Sequence, residues 1–575
     1  MAASFLLPSP SLSSFMKGQV GVRLYSEHCL NCITFFYNCS QKQNCNIKLY
    51  MIPGKAIARH CWSRQFASIG SLGTNVDVSS GVSDPDDFQR YKTLRDYSSN
   101  HLNGISDFER QLQELFDEVK TMIMKGNKND AIDLLQANYE AVKEQINAGT
   151  KGIEEAAILD IIALGYVAIG DLKFVGSLLN MINEVVDSLK NEEPLLDGIL
   201  IHMGSMYSML GKFEKSMLVY RRVISILENR YGKNSTFLIT PLLGTAKVLG
   251  SVGRATKAVE IYHRVITILE TNRGAESEDL VLPLSGLGNL LIKEGKAVAA
   301  ESAFIRIQKI YTKKYGEHDG RVGMAMCSLA HAKCAKGNTD EAIDLYKKGL
   351  QVIKDSKYMA LDDSIMEKMR IDLAELLHAV GRGKEGRELL GECLLITENY
   401  KGREHPSSVA HLINLATSYS HSKNFVEAER LLRTSLEIMM KTVGPDDQSI
   451  TFPMLQLGVT LYQLNRDEEA EKLVLEVLCI REKAFGKDSL PVGEALDCLV
   501  IIQTRLGKEE VELLEMLKRV LRIQEKEFGN DSEEVMLTLK KVVFYLNKLG
   551  RNDEKFPLQK RLSILRMKYK QKVAY

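Results

Sequence analysis

Glycine, or a residue standing in for it, returns at nearly constant intervals through most of this chain. Gly126, Gly170, Gly211, Gly253, Gly295, Gly337, Gly381, Lys423, Asn465, Gly507 and Gly550 form one ruler with steps of 41 to 44 residues. A second ruler runs at another phase through Tyr231-Gly232, Tyr315-Gly316, Phe485-Gly486 and Phe528-Gly529, with Gly274, Gly402 and Gly444 alongside. Glycine and asparagine tolerate the positive φ that ends one helix before the next begins, so the first ruler predicts eleven tight turns inside helical hairpins. Lys423 is the one position there without such tolerance. The stretch Val409 to Gly444 is a representative unit. Leu415 and Ala416 fall in a first helix, Asn424 and Phe425 mark the turn, and Ala428, Leu432 and Ser435 share one face of a second helix.

The residues between the rulers agree from unit to unit. Five beyond the turn stands a small side chain (Ser216, Ala258, Ala300, Ala342, Gly386, Ala428, Ala470), and four further on a larger one (Tyr220, Tyr262, Phe304, Tyr346, Leu390, Leu432, Val474). Seven before the turn comes another small residue: Gly165, Gly204, Ala246, Gly288, Ala330, Ala374, Ala416 and Gly458, the first an approximate match. Small positions let helix backbones approach and large ones fill the space, so the pattern specifies an all-α stack in which each unit touches only its neighbours. A chain of 575 residues can then form one array. No apolar run has the length of a membrane-spanning helix, and the richest, Ala156 to Gly170, contains Asp160 and reads as a buried helix.

Charge is distributed unevenly. Residues 1–66 hold seven basic residues against the single acid Glu27, while the remainder, with 68 basic and 73 acidic residues, is net −5. An acidic body disfavours a protein whose main task is to neutralise phosphates. The opening MAASFLLPSPSLSSF is uncharged and Ser-rich, and the chain stays acid-poor to residue 76 except for Glu27. That composition is expected of an organelle transit peptide over residues 1–66. The opening favours a plastid, because no basic residue precedes Lys17, whereas Arg64-Gln65-Phe66-Ala67-Ser68 suits mitochondrial processing after Phe66.

Residues 67–104, rich in Gly, Ser, Asn and Asp, read as a flexible linker. Ser106 and Glu109 have capping-box spacing ahead of the apolar stripe Phe108, Leu112, Leu115, Phe116, Val119 and Ile123, so the folded array is expected over 105–575. Cys29, Cys32, Cys39, Cys45 and Cys61 lie in the leader and Cys327, Cys334, Cys393, Cys479 and Cys498 in the array. They complete no zinc spacing, and those of the array are expected as small core residues.

In period and filling the region 105–575 resembles tetratricopeptide repeats of the long form found in kinesin light chains and plant kinesin-light-chain-related proteins. Arg403-Glu404-His405-Pro406 followed by Asn414-Leu415-Ala416 carries the likeness most directly. The resemblance implies a right-handed superhelical solenoid of about eleven hairpins whose first helices line a concave groove. Two features depart from the motor adaptors. No heptad coiled coil precedes the repeats, and the positions of that family's cargo-gripping asparagines read His202, Gly244, Gly286, Ser328, Asp372, Asn414 and Gln456.

The groove residues that the resemblance implies are Lys247, Asn289, Lys293, His331, Glu375, His378, Asn414, Thr417, His421 and Tyr462. Their mixed polarity suits an extended or helical peptide segment. Gly381, Gly383 and Gly386 spell G-x-G-x-x-G, but they occupy an interhelix turn and a packing position, so nucleotide binding is not expected. His331, His378 and His421 lack the close pairing of a metal site and read as surface histidines. No catalytic motif, cofactor or metal is expected. After Glu554 the C-terminus holds only basic charges, read as a capping helix over 551–575 with a polar outer face. The functional expectation is a non-enzymatic adaptor that binds a protein or peptide, with organelle RNA binding and cytosolic kinesin-light-chain-like cargo work as alternatives.

Overall fold

The computed structural model describes residues 99–573. The leader, most of the linker and the five N-terminal cysteines lie outside the described residues. Among these residues the chain is all-α, with 22 α-helices in consecutive pairs and no strand. They fall into two compact units that divide between Tyr358 and Met359.

The N-terminal unit contains α1 (Ser99–Met124), α2 (Lys128–Asn147), α3 (Ile153–Ile169), α4 (Leu172–Val186), α5 (Leu196–Met209), α6 (Phe213–Tyr231), α7 (Ile239–Ser251), α8 (Ala255–Arg273), α9 (Val281–Lys293), α10 (Ala297–Tyr315), α11 (Gly320–Lys336) and α12 (Thr339–Asp355). The C-terminal unit contains α13 (Ser364–Ala379), α14 (Gly383–Lys401), α15 (Ser408–His421), α16 (Phe425–Val443), α17 (Thr451–Gln463), α18 (Asp467–Phe485), α19 (Leu490–Arg505), α20 (Glu510–Phe528), α21 (Glu533–Lys548) and α22 (Asn552–Val573). Odd-numbered helices are the first members of their hairpins. Several are apolar on most sides, as in α3 and α5, because they are covered by neighbours all round. Second helices such as α4, α12 and α16 bury one face only.

Both glycine rulers have a backbone cause. All eleven hairpin turns have φ between 59° and 93°, Lys423 and Asn465 included. The residue after the turn then bonds back into the first helix, as in Lys212 N to Tyr207 O (2.9 Å), Arg254 N to Leu249 O (2.9 Å) and Lys296 N to Leu291 O (2.8 Å). Glycines of the outer ruler combine positive φ with ψ of 156° to 165°, a region that essentially only glycine enters. Three residues later a polar side chain caps the next helix: Ser235, Ser277, Asp319, Asp447 and Ser532 accept backbone N–H bonds of 2.8 to 3.3 Å. The outer ruler has no glycine near residue 358, where Lys357 takes φ 53° instead, and there the two units divide.

The packing rule is realised by specific pairs. Tyr220, Tyr262, Phe304, Tyr346, Leu390, Leu432 and Val474 are all buried. A Cβ on Gly204 would lie 2.6 Å from the ring of Tyr220, one on Gly288 2.6 Å from that of Phe304, and one on Gly165 2.8 Å from Leu135. Burying each such side chain contributes about 1.5–3 kcal/mol.

Three expectations change. The chain is already helical at Ser99, so Ser106 sits inside α1 and is not its N-cap. Cys327, Cys393 and Cys498 are buried as expected of core residues, whereas Cys479 is exposed on α18. The outer face of α22 is not purely polar. Leu562 and Leu565 are buried, Arg561 and Lys568 are paired to Glu525 and Asp531, and Phe556, Ile564 and Met567 are left exposed.

Candidate functional site: polar ladders on the first helices

In the N-terminal unit, α3, α5, α7, α9 and α11 touch one after another, and in the C-terminal unit α17 touches α19. Each second helix packs against its own first helix and the first helix of the next hairpin in its unit. What remains of a first helix for solvent is a narrow strip. On that strip Lys247 of α7, Asn289 of α9 and His331 of α11 stand at one phase, 42 residues apart, and all three are exposed. Lys293, one turn beyond Asn289, is also exposed. Lys247 is exposed, yet partial desolvation of its ammonium lowers the lysine's pKa.

The asparagine positions of the kinesin light chains have a different use in this unit. His202 is buried with Nδ1 2.6 Å from Asp160 Oδ2, and burial raises the Asp160 carboxyl above the ordinary range. Gly244 and Gly286 seat the rings of Tyr220 and Tyr262 from the preceding hairpins. Ser328 Oγ donates to Met324 O at 3.1 Å. In this unit these positions serve internal pairing at His202, ring packing at Gly244 and Gly286, and a bond within the helix at Ser328.

The C-terminal unit keeps them polar. Asp372, Asn414 and Gln456 are half-buried at the same phase on α13, α15 and α17. Gln456 Nε2 donates to Thr417 Oγ1 at 3.4 Å, and Thr417 donates to Ile413 O at 2.9 Å. Glu375 and His421 are exposed. Two expected groove residues do not present themselves in this way. His378 is half-buried against α14: a Cβ on Gly383 would lie 3.1 Å from its Nδ1 and one on Gly386 2.9 Å from its Nε2, while Ser418 Oγ lies 3.0 Å from Nε2. Two glycines of the G-x-G-x-x-G string thus make room for an imidazole. Burial, Arg387 and His421 all hold His378 below the ordinary histidine value. Tyr462 carries the guanidinium of Arg505 3.5 Å from its ring centroid, and Asp467 holds Arg505 through Nε at 2.6 Å.

The expected groove set omits Asp372, Gln456 and Arg505. A signal for each was present, since the first two share the phase of Asn414, and Arg505 stands two residues before its turn, as do Lys293 and His421. Among the described residues no group of three or more His, Cys, Asp or Glu side chains converges as a metal site. No described helix is long and apolar enough to cross a membrane.

Residues 279–355, 366–441 and 408–483 match the tetratricopeptide repeat family, the first stretch in the N-terminal unit and the other two, which overlap, in the C-terminal unit. The solved structures similar to this chain include the nearly identical TPR-like repeats assigned to a kinesin light chain of Podosopora anserina. They are 22% identical, with a TM-score of 0.33 over 36% of this chain and 99% of that one. BtubC (BKLC) from P. vanneervenii is 18% identical, with a TM-score of 0.34 over 41% of this chain and 91% of its own. The apo form of the quorum sensor NprR from B. thuringiensis is 10% identical, with a TM-score of 0.38 over 80% and 99%. No curated protein matches the chain.

Proposed function

We propose that this chain is a non-enzymatic, organelle-imported scaffold that holds a protein or peptide partner on the polar strips of its first helices, in assembly or maintenance of a larger complex. The observation that carries this reading is the exposed series Lys247, Asn289 and His331, repeated at one phase on three helices packed side by side. Side chains fixed at a constant interval on rigid helices are ordered before a partner arrives, so binding loses little conformational entropy. The acid-poor, Ser-rich leader supports import, with the plastid preferred to the mitochondrion.

The test is purification of the tagged native protein from isolated organelles, with and without ribonuclease, followed by identification of its companions and its N-terminus. A ribonuclease-resistant partner, lost from a Lys247→Glu, Asn289→Ala variant of unchanged thermal midpoint, together with an N-terminus near Ala67, is the expected result. Companions that vanish on ribonuclease treatment would move the function to RNA. An intact leader on a cytosolic protein would move it to a cytosolic adaptor of the kinesin-light-chain kind.

A further inference from the structure

A repeated ion pair staples successive second helices in the outer layer of the N-terminal unit, and it is missing between α10 and α12. An arginine on a second helix reaches a glutamate on the second helix before it: Arg264 to Glu228 at 2.5 Å and Arg306 to Glu270 at 2.6 Å. Arg519 to Glu482 (2.6 Å) and Arg561 to Glu525 repeat the device in the C-terminal unit. At the corresponding positions of α10 and α12 stand Thr312 and Lys348. The acid is missing and the cation remains.

The same hairpin departs from the packing rule. Val223, Val265, Ile307 and Val477 are buried twelve residues past their turns, but α12 has Gly349 there. Gly349 faces Gly323 of α11 so closely that a Cβ on either would lie 2.6 Å from the carbonyl oxygen of the other. With α12 drawn onto α11 and no staple to α10, a cleft of about 620 Å³ lies between α10 and α12. That is within the range of about 300–1,000 Å³ usual for binding pockets.

Its chemistry is two-sided. Val322, Met326 and Val352 line it with apolar surface, and Lys309, Lys313 and Lys348 line it with ammonium groups. Lys313 is paired with Glu276, whereas Lys309 and Lys348 form no ion pair among the described residues. Glu317 is the one carboxylate in the lining. A free phosphate would leave the apolar floor uncovered. Single-stranded RNA would find only the imidazole of His318, and no Phe, Tyr or Trp ring, in the lining on which to stack. A lipid surface is met by protruding apolar residues, and these are recessed.

We propose that this cleft docks an acidic peptide segment, with an apolar side chain on Val322, Met326 and Val352 and flanking carboxylates on Lys309 and Lys348. It opens between α10 and α12 over Val322 and Met326 of α11, and its lining includes none of Lys247, Asn289 and His331, which allows a second partner to be held at the same time.

The test uses the full chain and a fluorescein-labelled hexapeptide, Glu-Glu-Leu-Phe-Glu-Glu, followed by fluorescence anisotropy. Saturable micromolar binding is expected. The pair Lys309→Glu, Lys348→Glu weakens it by about tenfold or more at unchanged thermal midpoint, as does replacing Leu and Phe of the peptide by Ala. Thr312→Glu restores the missing staple, and it abolishes binding while the thermal midpoint is kept or raised. Lys247→Glu, on a first helix, leaves binding unchanged. Equal binding by the Lys309, Lys348 variant or by Thr312→Glu would overturn the site. Equal binding of the Ala-substituted peptide would overturn its peptide specificity, as would tighter binding of a labelled oligouridylate lost with the same lysines.

Discussion

The ring of Tyr262 rests on the bare backbone of Gly286 in the next hairpin, so that a Cβ at 286 would fall 2.7 Å from its Cε1 and its hydroxyl oxygen. The contact repeats, 42 residues on, that of Tyr220 with Gly244. It couples neighbouring hairpins, because the tyrosine belongs to α8 and the glycine to α9.

Gly286→Ala is therefore expected to destabilise the N-terminal unit by about 1–3 kcal/mol through overpacking, with Gly286→Asn costing at least as much. Truncating the ring in the same chain, as Tyr262→Leu, should make the alanine much less costly. A double-mutant cycle by urea denaturation measures the coupling, and simple additivity of the two substitutions would refute direct contact as the cause.

The two glycine rulers should respond differently to substitution. Gly486 has φ 83° and ψ 156° with open space where a Cβ would go, so Gly486→Ala costs about 1–3 kcal/mol from the backbone alone. Lys423, exposed and held at φ 61°, bears the opposite burden. Relief of its left-handed strain exceeds the added chain entropy of glycine, so Lys423→Gly is expected to stabilise by about 0.5–1 kcal/mol. Thermal unfolding of the two variants against the parent checks both signs.

These backbone demands explain what could be read in advance. A turn that needs positive φ leaves glycine in the sequence, and a close helix crossing leaves Gly204 beneath Tyr220, so hairpin number and register were legible. The direction of a side chain on a first helix was less so. His331 stands six residues before its turn and His378 three before its own; this puts them on nearly the same face but one turn apart along the helix, and the imidazole nearer the turn meets Gly383 and Gly386 of its second helix while the other stays in solvent. The cover on Tyr462 also comes from Arg505 in the following hairpin, a distance along the chain that no local pattern spans. The division near Tyr358 left no distinctive trace, because the outer-ruler glycine is also missing between Val186 and Leu196, within one unit.

Acid should weaken the C-terminal unit through His411. The imidazole is buried on α15, and burial, reinforced by Lys401, pushes its pKa from 6.5 down to about 4. Glu367 Oε1 lies 3.5 Å from its Nε2, yet burial raises that carboxyl too, so desolvation outweighs the pairing. Between about pH 6.5 and 4 the unfolded chain binds a proton that the folded histidine refuses, so stability present above 6.5 is lost as the pH falls. The slope from this one group is at most about 1.4 kcal/mol per pH unit. Glu367, with its raised pKa, acts in the opposite sense, and comparing the parent with His411→Gln isolates the imidazole. Denaturant titrations at several pH values should give a shallower acid slope for the variant, and an identical slope would refute the assignment.

Trp62 is the only tryptophan in the chain and precedes the expected cleavage after Phe66. Removal of the leader leaves a protein whose ultraviolet fluorescence comes from tyrosine alone. Native protein purified from organelles should therefore emit near the tyrosine maximum under excitation at a wavelength that both residues absorb, and should lack the red-shifted tryptophan band on unfolding. The recombinant full-length chain, measured alongside, should show that band. A tryptophan band in the native material would mean that Trp62 survives, which would rule out processing after Phe66 and leave the acid-poor segment as part of the working protein.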